Sequence, residues 1–145
     1  MNKQDKELLL KYLCCILPYG VVIQEKCIEH DETFLPHLGD NILVNIDVRE
    51  YLVITNGDSR YYIEEIKPYL FPLSSMTEEQ REELMNICGE RIGFNSGTFI
   101  DFSGYGEVSI NAVNDIIDWL NAHHFDYRGL IEKGLAIDCT NLNIY

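Results

Sequence analysis

Between Asp118 and Leu135 the chain concentrates the side chains best equipped for chemistry. Eighteen positions hold the only Trp, the adjacent pair His123–His124, the acids Asp118, Asp126 and Glu132, the cation Arg128, and Gly129 and Gly134. An imidazole beside a carboxylate is the arrangement of a general base, with Asp118 or Asp126 as the orienting group. The nucleophile would have to come from elsewhere, from Cys139 or Ser103, and no G-x-S-x-G or cysteine-centred motif supplies one. The same imidazoles with Asp126 could be read as metal ligands. Adjacent helical side chains diverge by about 100°, however, so two neighbouring rings seldom reach one ion. A zinc site wants i, i+4 pairs such as H-E-x-x-H, and His30 and His37 lie far upstream. No catalytic residue, metal or cofactor is therefore assigned. Arg, Tyr and Trp dominate binding hot spots, and the segment is read as a binding surface formed by Trp119, His123, His124, Asp126, Tyr127 and Arg128. Two structural roles compete with that reading. Trp119 sits at helical spacing among apolar neighbours, as a core residue would. Arg128 could pair with Asp126 or, one helical turn on, with Glu132.

Two further groups bear on function. Gly93, Gly97, Gly104 and Gly106 suggest a phosphate loop, but they match neither G-x-x-x-x-G-K-[ST] nor G-x-G-x-x-G, and a loop with positive φ is the simpler expectation. Tyr61, Tyr62, Tyr69, Phe71 and Met76 gather aromatic and apolar surface near two prolines. Strand alternation sends Tyr61 and Tyr62 to opposite faces, so one of them is a candidate for an exposed partner site.

The elements that must position these residues follow from periodicity. Leu9, Leu13, Ile16 and Leu17 share one face of a helix over Asp5–Leu17, which Pro18 and Gly20 terminate. Val21–Ile28 is a strand, and 29–41 a polar loop. Ile42, Val44, Ile46 and Val48 alternate with Asn45 and Asp47. Tyr51–Thr55 and Ser59–Ile66 form a hairpin across Asn56-Gly57, the pair favoured in two-residue type I′ turns. Pro68 and Pro72 keep 67–76 out of a central strand. Thr77 with Gln80 has capping-box spacing and opens a helix with Leu84, Ile87 and Cys88 as its buried stripe, closed by Gly89 or Gly93. A short strand is expected at Thr98–Phe102. Ser109 caps a helix whose face is Ile110, Val113, Ile117 and Leu120, widened by Ile116 and Trp119. Asp126 caps a short last helix to Lys133. The order of elements predicts an α+β fold: a small antiparallel meander of three to four strands with three to four helices on one face.

Bulk composition bounds the rest. A chain of 145 residues, 46% hydrophobic and 11% aromatic, can bury a core as a single domain spanning 1–145. Its longest apolar run, 8–23, is interrupted by Lys11, Pro18 and Gly20, well short of the ~20 residues of a spanning helix. Five Cys without a C-x-x-C read as reduced thiols in a cytoplasmic protein. The balance of 24 acids against 11 bases, net −13, disfavours direct binding to nucleic acid. It fits either solubility or an acidic surface that mimics nucleic acid toward a basic partner. The acids are spread along the chain, in runs no longer than two, which favours the first.

Two segments resemble, in order and spacing, a group of small uncharacterised proteins of Bacteroides-type gut bacteria and their phages or mobile elements. They are Lys67-Pro68-Tyr69-Leu70-Phe71-Pro72-Leu73-Ser74-Ser75-Met76-Thr77-Glu78-Glu79 and Asp118-Trp119-Leu120-Asn121-Ala122-His123-His124-Phe125-Asp126-Tyr127-Arg128-Gly129-Leu130. The resemblance implies a small accessory protein and carries no activity or ligand with it. The expectation is an interaction module that binds a host or phage protein, with no membrane or cofactor. Two alternatives stand beside it: an acidic inhibitor that includes Glu78, Glu79, Glu82 and Glu83, and a His/Asp-dependent enzyme.

Overall fold

A computed structural model describes residues 1–25, 41–88, 93–95, 99–101 and 109–145 of the chain. They form an α+β protein with three α-helices and both antiparallel and parallel strand pairing. The residues gather into two compact units, Met1–Leu70 with Arg128–Tyr145, and Phe71–Tyr127.

In the first unit, α1 spans Lys3–Ile16. It starts two residues before the expected Asp5 because the Asn2 side chain accepts from the Asp5 amide at 2.8 Å, a standard N-cap. Its apolar face (Leu9, Leu13 and Ile16, joined by Leu10 and Tyr12) is buried. A 3-10 turn containing Pro18 ends it, and Gly20 supplies the left-handed residue at φ 69°. Strand β1 is Ile23–Glu25; the expected continuation to Ile28 and the polar loop to residue 40 lie outside the described residues. β2 (Leu43–Asp47), β3 (Leu52–Thr55) and β4 (Arg60–Tyr62) make the expected antiparallel meander. Two details depart from expectation. A bulge between Leu43 and Asn45 interrupts the alternation of Ile42, Val44, Ile46 and Val48 and leaves Val44 50% exposed, while Val48, 53% exposed, stands in the turn after β2. The β3–β4 loop has three residues rather than two, with Asp58 in the left-handed position at φ 59°. Asn56 is drawn away from a type I′ turn because it bonds Ile42 with both its amide nitrogen and its side-chain oxygen.

The proline-flanked segment is a strand after all. β5, Ile66–Pro72, pairs antiparallel with β1 and parallel with β9, Ile137–Asp138. Pro68 is tolerated because the Val22–Tyr69 pair carries the hydrogen bond to β1, which leaves Ile23–Pro68 as a non-hydrogen-bonded pair. The β9 ladder begins only at Tyr69. Fully buried Val21, Ile23, Leu43, Val53, Ile63, Leu70, Leu130 and Cys139 complete this unit's core.

In the second unit, α2 (Glu78–Cys88) opens on the predicted capping box. The Thr77 amide donates to Gln80 Oε1 at 2.9 Å, and the Gln80 amide to Thr77 Oγ1 at 3.2 Å. Leu84 is buried, whereas Ile87 is 38% exposed and not part of the stripe; the Cys88 side chain and Gly89 lie outside the described residues. β6 (Gly93–Asn95) pairs antiparallel with β7 (Phe99–Asp101). Ser109 caps α3, Ile110–Ala122, as predicted. Ile116, Trp119 and Leu120 pack with Met76, Leu84 and Phe125 into one cluster, but Ile110 is 72% exposed in the helix's first turn. No helix follows Asp126. β8 (Phe125–Asp126) pairs parallel with Phe71–Pro72, and residues 127–134 form turns in which Gly129 and Gly134 adopt φ 70° and 68°. That strand pairing claims the residue expected as a cap, and left-handed Gly129 cannot continue a helix.

Candidate functional site

α3 ends where the chemically rich segment begins. His123 is half-buried, and its ring stacks on Trp119 with centroids 3.9 Å apart. Its Nδ1 lies 2.9 Å from the Trp119 carbonyl. A carbonyl only accepts, so Nδ1 carries the proton, and in the neutral ring Nε2 keeps its lone pair. Trp119 also stacks on Phe125 at 5.8 Å, 7% exposed, with no hydrogen-bond partner for its Nε1 among the described residues. His124 turns the chain from α3 into β8. It sits at φ 56°, donates its amide to the Asn121 carbonyl at 3.1 Å and accepts from the Phe71 amide at 2.9 Å. Its ring is buried, and desolvation, aided by the charge of His123, pushes its pKa down to about 4. Asp126 is buried, and Tyr127 donates to Asn121 Oδ1 at 3.0 Å, where Asn121 is itself 2% exposed.

The six residues chosen from sequence thus divide by environment. Trp119, His124 and Asp126 are buried, His123 and Tyr127 are half-buried, and Arg128, also half-buried, belongs to the first unit rather than the second. The second unit's share of the set builds the turn that closes α3. His123 has an oriented ring nitrogen, and that nitrogen hydrogen-bonds to a carbonyl rather than to Asp118 or Asp126. Cys139 is fully buried, with its thiol pushed up to about 12 by burial, and so is unsuited as a nucleophile. Ser103, His30, His37, Gly97, Gly104 and Gly106 lie outside the described residues.

The three-stranded sheet of the first unit presents a different kind of surface. Val53 is fully buried, so its neighbours Leu52 and Ile54 point the other way. Cross-strand register then defines two outer rows, Asp47–Leu52–Tyr62 and Asn45–Ile54–Arg60. Tyr62 is 54% exposed, and Val44 and Val48 lie exposed along β2 and its turn. At the β2 end an open recess of about 450 Å³ is lined by Asn45, Ile46, Asp47, Val48, Arg49 and Ile54. Its turn is held in place: Asp47 Oδ1 accepts from the amides of Arg49 and Glu50 at 2.9 and 3.2 Å, and Tyr51 adopts φ 55°. Asn45 Oδ1 accepts from the Ile46 amide at 2.7 Å. Neither Arg49 nor Arg60 has an ion pair or side-chain hydrogen bond among the described residues. The expected split between Tyr61 and Tyr62 holds: Tyr61 is half-buried on the Val53 side. Tyr69 and Met76 are buried, so the aromatic strip is shorter than its sequence neighbourhood suggests. The rest of this face had a signal in the uninterrupted apolar run 51–54, which equips a strand with apolar residues on both sides.

No protein-family model, curated protein or solved structure matches this chain. Among the described residues no helix is long and apolar enough to cross a membrane, and no group of three or more His, Cys, Asp or Glu is placed to hold a metal ion.

Proposed function

We propose that the chain is a small interaction module that binds a protein partner through the outer face of β2, β3 and β4. One observation carries this reading. A sheet with one face on the core ordinarily turns polar side chains outward, whereas here Tyr62, Val44 and Val48 are each half exposed or more around Leu52 and Ile54. Exposed aromatic and aliphatic residues grouped on a rigid element are the usual anchors of interfaces. The resemblance of 67–79 and 118–130 to small phage and mobile-element proteins supports an accessory role in a bacterial cytoplasm. The test is affinity capture from bacterial lysate with wild type and a Val48→Asp, Tyr62→Asp variant. A stoichiometric partner lost in the variant is expected. Retention of that partner by the variant would sink the assignment of the face and return attention to His123, Tyr127 and Arg128.

A second reading rests on the second unit. Glu78, Glu79, Glu82 and Glu83 on α2 and Asp115 and Asp118 on α3 are all exposed, while Arg81 is the unit's single base among the described residues. That balance suits an inhibitor that occupies a basic, nucleic-acid-binding surface. Replacing the four α2 glutamates by glutamine would abolish competition with DNA for such a partner.

A further inference from the structure

Resting on the assignment of the sheet face as a binding surface, we infer that the partner it takes is a second copy of this chain, related by a two-fold axis lying in the interface. The placement of charge on the face carries this. Register puts Asp47 of β2 and Arg60 of β4 at diagonally opposite corners of the two outer rows, with Leu52 and Ile54 between them. A two-fold axis running from the Asn45 corner toward the Tyr62 corner sets Asp47 of each copy against Arg60 of the other. Leu52 and Ile54 of both copies then meet around the axis, and the two Tyr62 side chains come together at one end of it. Asp47 is prepared for that role. Its Oδ1 accepts the Arg49 and Glu50 amides, which fixes the carboxylate, and its Oδ2 and its charge are left for an incoming donor. Arg60 is exposed and has no ion pair or side-chain hydrogen bond among the described residues, Asp58 included. Its guanidinium matches a carboxylate with two parallel hydrogen bonds.

The same face is a place where two copies of so acidic a chain can approach. The whole chain has 24 acids against 11 bases. Across the face and its two turns, Asp47, Glu50 and Asp58 stand against Arg49 and Arg60, so the charge there is close to balanced. A partner of one sign meets repulsion on part of such a face, whereas a copy brings the opposite sign to both ends of the diagonal. Arg49, Glu50 and Asp58 lie in the turns beyond the rows, where solvent screens them. Edge-to-edge pairing is disfavoured on both sides of the sheet. The Ile46 amide on β2 donates to Asn45 Oδ1 at 2.7 Å, and the Tyr62 amide on β4 donates to Glu65 Oε2 at 2.8 Å. Each edge therefore lacks a donor that strand addition would use, and the copies meet through their faces. The two rows with Val44 and Val48 fall well short of the roughly 20–30 residues a side of a standard interface, so the dimer is a weak one.

The test is sedimentation equilibrium of the full chain from about 1 μM to about 1 mM, at about 0.15 M salt so that the net repulsion is screened. Circular dichroism first confirms that each variant folds. Wild type should show a monomer–dimer equilibrium with a Kd of about 1–100 μM, and Tyr62→Asp should abolish it. Arg60→Glu alone and Asp47→Lys alone each set like charges together twice per dimer, and each should weaken association about tenfold or more. An equimolar mixture of those two variants should regain a dimer, because every facing pair is again opposite in sign. If Asp47→Lys loses its turn and does not fold, Arg60→Glu is compared with Arg49→Glu: the first should weaken the dimer and the second leave it unchanged. A wild type that stays monomeric throughout overturns the inference, as does a dimer that Tyr62→Asp or Arg60→Glu leaves intact. So does a dimer lost in both single variants and not regained on mixing. The face as a binding surface is tested apart from this. A different protein captured by wild type and lost with Val48→Asp, Tyr62→Asp keeps the face and, beside a monomeric wild type, removes the second copy.

Discussion

Tyr145 does what a ladder rung does elsewhere. The Val22 amide donates to its hydroxyl at 3.1 Å, and the hydroxyl donates to the Tyr69 carbonyl at 2.9 Å. Those two backbone groups would face each other directly in a regular antiparallel pair. Here Val21 to Ile23 also bond Asn41 and Leu43, and the phenol fills the space that opens. Enclosure raises the phenol's pKa. Tyr145→Phe strands an amide and a carbonyl between strands, so it should cost about 1–3 kcal/mol. The check is a lower urea midpoint with an unchanged slope. His124 sets the acid limit. Its native pKa of about 4 lies below the ordinary 6.5, so the unfolded chain binds its proton first. Stability from this group is complete above pH 6.5, declines as pH falls and levels off below about pH 4, with a total loss on the order of 3 kcal/mol. Urea titrations at pH 7 and pH 4.5 should show that decline in wild type and a shallower one in His124→Asn, since Asn tolerates the left-handed backbone.

At the scale of elements, the helices and the short strand β7 were readable, and β5, β8 and β9 were not. Thr77 and Ser109 were read as caps because each bonds an amide three residues away; Asn2 caps α1 in the same way but was missed, and the helix was expected to begin at Asp5. Thr77→Ala should therefore cost about 1 kcal/mol, read as a drop in the thermal midpoint. The α+β class and the β2–β3–β4 meander were equally legible, because hairpin neighbours lie close in sequence. β5, β8 and β9 depend on partners far along the chain, Phe71 with Phe125 and Tyr69 with Ile137. No local pattern at Pro68 or Asp126 announces such pairing, and proline chemistry argued against it. Exposure was misjudged where an apolar period ran past the contact it served, at Ile87 and Ile110. For the candidate site the sequence marked the pair Tyr61 and Tyr62 without choosing between them, because the choice depends on which face of the sheet meets the core.

For the molecule as a whole, charge is the dominant statement. The excess of 24 acids over 11 bases is self-repelling in the compact state, and the ion pairs Lys3–Glu7 and Lys6–Glu64 neutralise little of it. Raising salt from about 0.01 M to 0.15 M shortens the Debye length from ~30 Å to ~8 Å, which should raise the thermal midpoint measured by calorimetry. A salt-independent midpoint would show that the repulsion is already offset locally. The lone tryptophan has a consequence of its own. Trp119 lies in the Phe71–Tyr127 unit, in contact with His123 and Phe125. Its emission is thus an intrinsic gauge of that unit alone, while the heat of unfolding sums the entire chain. Recording both on one sample turns a single indole into a measure of cooperativity: coincident curves mean one transition, and separated curves resolve the half of the protein that yields first.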